Sequence, residues 1–164
     1  MSRIRVLLVD ANDDFLDSLS AWIQRCPRLQ VVGRAHSGNE AIERTGRLLP
    51  DLLLMDAALP DLNGFEVTRR IKSRPDAPLI VLMVFHGSRA ARERALAAGA
   101  DECMSKTETT EWLLPELEKL LPSSLLDEMA KEVGKSDALR AQLPLPGDEA
   151  ATRRAAHVKR RKNP

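Results

Sequence analysis

Residues 51–72 have the sequence DLLLMDAALPDLNGFEVTRRIK, which changes from apolar to polar character at Asp56. The segment 52–55 is wholly apolar, and such a run is typical of a strand that is buried on both faces of a parallel sheet. Pro60 and Gly64 indicate a turn after this strand, and helical character follows. The stretch therefore predicts a strand–turn–helix unit with an aspartate at the carboxyl end of the strand.

Similar units occupy the chain as far as residue 121. Strands are predicted at residues 4–9, 29–35, 52–55, 79–84 and 102–104. Helices are predicted where apolar residues recur at helical spacing or a glycine ends the segment: Phe15, Leu19 and Trp22; Ile42, Thr45 and Leu49; residues 64–73; residues 88–98 before Gly99; and Leu113, Leu117 and Leu120/Leu121. Five strands that alternate with five helices predict an α/β fold, in which a five-stranded parallel sheet is doubly wound with helices on both faces.

The composition limits the classes of protein to which the chain can belong. Its 164 residues are 43% hydrophobic, which suits one globular domain with an extension. No apolar stretch approaches the ~20 residues that span a bilayer, and the start MSRIRVLLVD contains no signal-peptide cleavage site. Cys26 and Cys103 are isolated and lack metal-binding spacing. We therefore expect a cytoplasmic protein without a membrane partner.

Charge and composition change after residue 121. Residues 1–121 carry 16 basic and 18 acidic side chains, whereas the final stretch ATRRAAHVKRRKNP carries 6 basic and no acidic ones. Between these regions, Leu125/Leu126, Met129 and Val133 mark one helical face, and LPLPG indicates a linker. The expected organisation is a domain at residues 1–121, an extra amphipathic helix at residues 122–135, and a linker with a basic, disordered tail at residues 136–164.

Charged residues follow three of the predicted strands. Asp10 follows the first strand, Asp56 follows the third, and Lys106 lies just beyond the fifth. Ligands of a doubly wound sheet bind beyond the carboxyl ends of its strands, so we expect these groups to converge on one edge. A single aspartate at a strand end is often only a turn or helix-cap residue. Two carboxylates and an ammonium on one edge favour a functional site.

Two motifs resemble the receiver domain of bacterial two-component response regulators, the CheY-like family. The first is residues 51–72, and the second is AAGADECMSK, residues 97–106, which is similar to the family's Ala-Gly-Ala and the lysine at the end of strand five. The resemblance covers residues 3–121 and implies a flavodoxin-like strand order of 2-1-3-4-5. It also implies that Asp56 is the phosphoryl acceptor, that Asp10, Asp56 and the backbone carbonyl of Ala58 bind Mg²⁺, and that Lys106 pairs with Asp56 and then with the phosphoryl group.

Three positions depart from the family pattern. Ala11 stands where the family usually has a second acid that contacts the metal, so we expect weak Mg²⁺ binding. Asp13 or Asp14 can replace this ligand by bending back, but capping of the first helix is the preferred interpretation of both. Val84 stands in place of a Ser or Thr that donates to the phosphoryl group, and Cys103 in place of an aromatic switch residue. These degenerate positions remove the relay by which the family usually transmits phosphorylation.

Other candidate sites have weaker signals. The glycines form no dinucleotide-binding or P-loop pattern, and His86 is interpreted as a surface histidine rather than a phosphoryl ligand. Trp22 and Trp112 are interpreted as packing residues. The basic tail has no interleaved aromatic residues, so nucleic acid is not an expected partner of this chain.

The resemblance implies a response-regulator receiver in two-component signalling. Such a receiver accepts a phosphoryl group on Asp56 from a sensor histidine kinase or a phosphotransfer protein and then alters its partner binding. The alternative is a pseudo-receiver, an adaptor that works through protein contacts without phosphorylation, which Ala11, Val84 and Cys103 favour. We expect no enzyme activity in either case. The helix predicted at residues 122–135 is expected to carry a partner contact or self-association, such as a homodimer.

Overall fold

The computed structural model describes residues 3–107. Its strands are β1 (Ile4–Val9), β2 (Leu29–Ala35), β3 (Leu52–Asp56), β4 (Leu79–Val84) and β5 (Glu102–Ser105). Its helices are α1 (Asp13–Ile23), α2 (Gly38–Leu48), α3 (Gly64–Lys72) and α4 (Arg89–Ala97). The predicted fifth helix, the extra helix at residues 122–135 and the basic tail lie outside the described residues.

The five strands form one parallel sheet in the order β2-β1-β3-β4-β5, which confirms the predicted fold class and strand order. β3 and β5 each extend one residue beyond the prediction. Asp56 pairs with Met83 and Ser105 pairs with Val84, so both residues belong to the ladders despite their polarity.

Each face of the sheet packs against its own apolar cluster. Leu8 and Leu54 belong to the cluster that includes the buried face of α1, whereas Leu7 and Leu53 belong to the cluster that includes residues of α2, α3 and α4. Because β3 lies in the middle of the sheet, all five of its residues are buried. This position explains the apolar run that precedes Asp56.

Every described helix begins with a polar cap. Asn12, Ser37, Asn63 and Ser88 each accept a hydrogen bond from the backbone N–H three residues later. The interpretation of Asp13 and Asp14 as caps of α1 is therefore wrong, because Asn12 fills that role. The two aspartates instead occupy the first turn of α1, where a negative charge is favourable near the positive end of the helix dipole.

Leu49 does not lie on the apolar face of α2, contrary to the prediction from its spacing. Its backbone has a left-handed φ of 47°, and its side chain is 62% exposed. Pro50 follows directly, and a residue before proline is disfavoured in helical conformation, so α2 ends at Leu48. Gly99, in contrast, has a positive φ of 99° just after α4, as expected for a glycine that ends a helix.

None of the helices within residues 3–107 is both long and apolar enough to cross a membrane.

Candidate functional site

Three charged side chains meet at the carboxyl edge of the sheet, as the sequence predicts. Lys106 Nζ lies 2.5 Å from Asp10 Oδ2 and 3.0 Å from Asp56 Oδ2. The exposed fractions of Asp10, Asp56 and Lys106 are only 1%, 7% and 8%. One ammonium therefore bridges two carboxylates in a site that is largely shielded from water.

The loops after β1 and β3 hold the two carboxylates in the same way. Asp10 Oδ1 accepts a hydrogen bond of 2.9 Å from the Asn12 N–H, and Asp56 Oδ1 accepts one of 3.0 Å from the Ala58 N–H. In each case the donor is two residues further along the chain. Each carboxylate thus has one oxygen fixed by its own loop and the other directed at Lys106.

The charged form of Asp10 is disfavoured by its burial in the site. Burial raises the pKa of its carboxyl group above the usual 3.8, and the hydrogen bonds and charge of Lys106 and Asn12 only partly oppose this effect. Asp10 Oδ2 is in ion contact with Lys106 Nζ at 2.5 Å. Two acidic groups for one ammonium leave a surplus of negative charge, which favours a further cation.

The donor set is compatible with Mg²⁺. Asp10 and Asp56 offer carboxylate oxygens, and Ala58, whose N–H contacts Asp56, is exposed. Within residues 3–107, no group of three or more His, Cys, Asp or Glu side chains is arranged to hold a metal. These donors therefore suit a magnesium ion that keeps several water ligands, rather than an ion enclosed by protein groups.

The three degenerate positions lie in the loop after β1 and on strands β4 and β5. Ala11 is exposed directly after Asp10 and adds no side-chain donor. Val84 ends β4, where its carbonyl accepts a 2.7 Å hydrogen bond from the Lys106 N–H, and its side chain belongs to an apolar cluster. Cys103 belongs to the same cluster, and burial raises the pKa of its thiol, which favours the protonated form.

Two further residues named from the sequence make their contacts with residues other than Asp10, Asp56 and Lys106. Asp13 Oδ1 lies 2.8 Å from His36 Nε2, so Asp13 faces β2 and does not replace the ligand that is missing at Ala11. His86 is exposed, and its ring packs edge-on against Phe85 with 4.5 Å between the centroids. This contact supports the interpretation of His86 as a surface histidine.

Phe15 is a site residue that sequence reasoning missed. Lys106 Nζ lies 4.6 Å from the centroid of its ring. The spacing of Phe15, Leu19 and Trp22 predicts a packing residue, and Phe15 does belong to the core cluster with them. The contact with Lys106 depends on how the lysine side chain reaches across the edge of the sheet, and no spacing in the sequence encodes that direction.

Comparison with known proteins agrees with this geometry. Residues 6–118 match the model of the response regulator receiver domain. The chain is 40% identical over 99 residues to a protein-glutamate methylesterase/protein-glutamine glutaminase of Methanospirillum hungatei, a match that covers 59% of this chain and 28% of the relative. It is 36% identical over 104 residues to the response regulator GacA of Pseudomonas viridiflava, covering 63% of this chain and 48% of the relative.

Solved receiver structures show the same fold. The response regulator domain of Thermotoga maritima CheB superposes with a TM-score of 0.64 at 29% identity, covering 78% of this chain and 97% of that domain. A CheY-like receiver domain protein of Methanospirillum hungatei gives 0.63 at 28% identity, covering 80% and 99%.

The chain spans less than half the length of these two curated relatives, and the esterase and glutaminase activities are those of the longer protein. The match to the relatives and to the family model is one of sequence, and the match to the solved receivers is one of fold. The chain belongs to the receiver domain family of two-component response regulators.

Proposed function

We propose that Asp56 accepts a phosphoryl group from a sensor histidine kinase or a phosphotransfer protein, and that the phosphorylated domain changes its partner binding. The observation that carries this proposal is the buried bridge that Lys106 Nζ forms between Asp56 and Asp10 at the carboxyl edge of the sheet. Family membership favours this function over the pseudo-receiver alternative. The identity of the donor and of the partner is part of the proposal.

The proposal gives each oxygen of Asp56 a separate role. Oδ1 is fixed by the Ala58 N–H, and Oδ2 lies 3.0 Å from Lys106 Nζ. In the transfer, an oxygen of Asp56 forms a bond to phosphorus while the bond between phosphorus and the donor's histidine nitrogen breaks, and that nitrogen takes up a proton. Lys106 then pairs with the added negative charge, since phosphoryl transfer is catalysed mainly by positioning and electrostatics.

Asp10, Asp56 and the Ala58 carbonyl would hold Mg²⁺, which supplies positive charge to the transferring oxygens when bound. Asp10 Oδ2, which lies 2.5 Å from Lys106 Nζ, is one of the oxygens that would serve this role. The ammonium and the metal therefore compete for one carboxylate, and Ala11 adds no second acid to satisfy both. We expect Mg²⁺ binding to be weak for this reason.

Intact-mass analysis after incubation with acetyl phosphate, with and without Mg²⁺, tests the proposal. The full chain is expected to gain the mass of one phosphoryl group, and more rapidly with Mg²⁺. Asp56→Asn is expected to gain none, whereas Asp76→Asn, at an exposed position away from the site, serves as the matched control and is expected to behave as the wild type. A phosphoryl adduct on the Asp56→Asn variant, or none on the wild type, would contradict the proposal.

A further inference from the structure

Phe15 places an aromatic ring against the ammonium that bridges the two carboxylates. Its ring centroid lies 4.6 Å from Lys106 Nζ, and the exposed fractions of the two residues are 6% and 8%. A cation at this distance from the face of a ring is attracted by the ring quadrupole, and the attraction is stronger where water is excluded. The neighbours of the ammonium thus include two charged carboxylates and one neutral ring.

Phe15 differs from Asp10 and Asp56 in how metal binding and phosphoryl transfer affect it. A metal at Asp10 would change the partners of that carboxylate, and a phosphoryl group on Asp56 would change the partners of the other. Both carboxylates contact Lys106. The ring of Phe15 takes part in neither change. It therefore offers the ammonium an attraction that is the same before and after the transfer.

We propose that Phe15 is a positioning residue for phosphoryl transfer, in which its ring keeps the Lys106 ammonium beside Asp56 when Asp10 is taken by a cation. This inference rests on the proposed function of Asp56. It also follows from the short contact between Lys106 and Asp10, because an ammonium that must leave one carboxylate needs another attraction to hold it in place. Phe15 lies on α1, so the proposal links that helix to the lysine that follows β5.

If Phe15 had only a packing role, position 15 would require an apolar side chain of the right volume but no aromatic ring. Phe15 packs in the cluster that includes Leu8, Leu54 and Met104, and any apolar side chain of similar volume would fill that space. An apolar side chain without an aromatic ring has no quadrupole to attract the ammonium. Substituting fluorine on the ring weakens the quadrupole with little change of shape, so a graded series separates the two roles.

The first arm of the test measures the rate of phosphorylation by acetyl phosphate in the presence of Mg²⁺. Variants are Phe15→Leu and full chains that carry mono- and trifluorinated phenylalanine at position 15. The rate is expected to fall stepwise with fluorination, to roughly one fifth for the trifluorinated ring and for Phe15→Leu. Trp22→Leu, an aromatic loss in the same helix and the same cluster, controls for packing and is expected to keep the wild-type rate. Equal rates across the fluorinated series would overturn the proposal.

The second arm does not depend on phosphorylation, so it separates a failure of this inference from a failure of the proposed function. In the proton NMR spectrum, the ε-methylene signal of Lys106, assigned with a Lys106→Met variant, is expected to be shifted upfield by the ring of Phe15. The shift should vanish in Phe15→Leu and persist when Mg²⁺ is added to the wild type. A signal at the position of an exposed lysine, or loss of the upfield shift on addition of Mg²⁺, would overturn the proposal even if Asp56 is phosphorylated. If Asp56 accepts no phosphoryl group, the proposed function is wrong, and the proposed role of Phe15 in phosphoryl transfer is then also wrong.

Discussion

Asp10, Asp56 and Lys106 share one edge of the sheet, where both carboxylates contact the same ammonium. Their position at one edge follows from strand order alone, because parallel strands bring their carboxyl ends together. The sharing of one ammonium by both carboxylates does not follow from strand order, since it depends on side-chain conformations and on the loops that fix Oδ1 of each aspartate. The contact between Phe15 and Lys106 escaped prediction for the same reason.

The surplus negative charge at the site leads to a prediction for Asp10→Asn. Burial raises the pKa of Asp10, which means that its charged form is held at a cost. The amide removes that charge and leaves Lys106 paired with Asp56. Without Mg²⁺, the variant is expected to be more stable than the wild type by about 1 kcal/mol, which corresponds to a rise of a few degrees in melting temperature. Added Mg²⁺ should raise the melting temperature of the wild type but not of the variant. A less stable variant would show that the Asp10–Lys106 pair is a net stabilising contact.

The metal ligand that is missing at position 11 leads to a prediction for Ala11→Asp, which adds a negative charge to the site where Asp10→Asn removes one. Ala11 is exposed beside Asp10, so Ala11→Asp adds a carboxylate without disturbing the core. Mg²⁺ is expected to bind the variant about tenfold more tightly, because one more acidic oxygen reaches the ion and balances its charge. Calorimetric titration measures the change, and Ala21→Asp on the exposed side of α1 serves as the control for added charge. Equal affinities of Ala11→Asp and wild type would mean that position 11 does not face the metal.

Among the elements, the sheet was predicted to within one residue because buried strands leave a strong apolar signal. Helix ends were predicted less well. Ile42, Thr45 and Leu49 have the spacing of one helical face, but Pro50 restricts the residue before it, and α2 ends first. Similarly, the two acids after Asn12 suggested a cap, whereas Asn12, one residue before them, accepts the hydrogen bond from the Phe15 N–H. Local steric and hydrogen-bonding rules of this kind override apolar periodicity at the ends of elements.

The loop between β3 and α3 depends on Gly64 at the start of α3. A Cβ atom at this position would lie 2.7 Å from Ala57 Cα and 2.7 Å from the Asp56 carbonyl oxygen, and backbone atoms cannot easily move away. Gly64→Ala is therefore expected to destabilise the fold by about 2 kcal/mol and to slow phosphorylation of Asp56. Gly46→Ala in α2 is the matched control, because the atoms nearest to its Cβ would be those of the Arg74 guanidinium, the far end of a flexible side chain. That control is expected to be neutral or to stabilise by about 0.5 kcal/mol in denaturant unfolding. Equal effects of the two substitutions would contradict the proposed steric cause.

Asp61 ties the same loop to α2. Its Oδ1 accepts a 2.6 Å hydrogen bond from the Gly38 N–H and its Oδ2 one of 2.9 Å from the Asn39 N–H. These bonds lower the pKa of Asp61 from 3.8 to about 2. Because the folded-state pKa is depressed, the carboxylate contributes stability above pH 3.8, and this contribution is lost as the pH falls through about 2. Asp61→Asn is expected to melt at a lower temperature than the wild type at neutral pH, and the difference should shrink between these two values. A difference that stays constant with pH would show that the charge of Asp61 is not involved.

For the whole molecule, the described sheet and the family match end well before the last residue. Each face of the sheet already packs on an apolar cluster within residues 3–107, and the family match ends at residue 118. Residues 122–164 carry 9 basic and 6 acidic side chains, whereas residues 1–121 carry 16 and 18. The difference in charge and the apolar positions Leu125/Leu126, Met129 and Val133 suggest that the segment beyond 121 serves contacts with other proteins rather than the core.

Removal of residues 122–164 tests this division of the chain. The shortened chain keeps all the residues of the family match, so its melting temperature is expected to stay within a few degrees of the full chain. If the helix predicted at residues 122–135 carries self-association or a partner contact, the shortened chain should lose it. Light scattering at matched concentrations and a pull-down with the cognate partner measure this loss.

A full chain with Met129→Ser and Val133→Ser is the matched control, because it keeps the length and charge of the chain but loses the predicted apolar face. This variant should behave as the shortened chain does. Unchanged association in all three proteins would show that the contact lies on the receiver itself, and an unfolded shortened chain would show that the domain extends beyond residue 121.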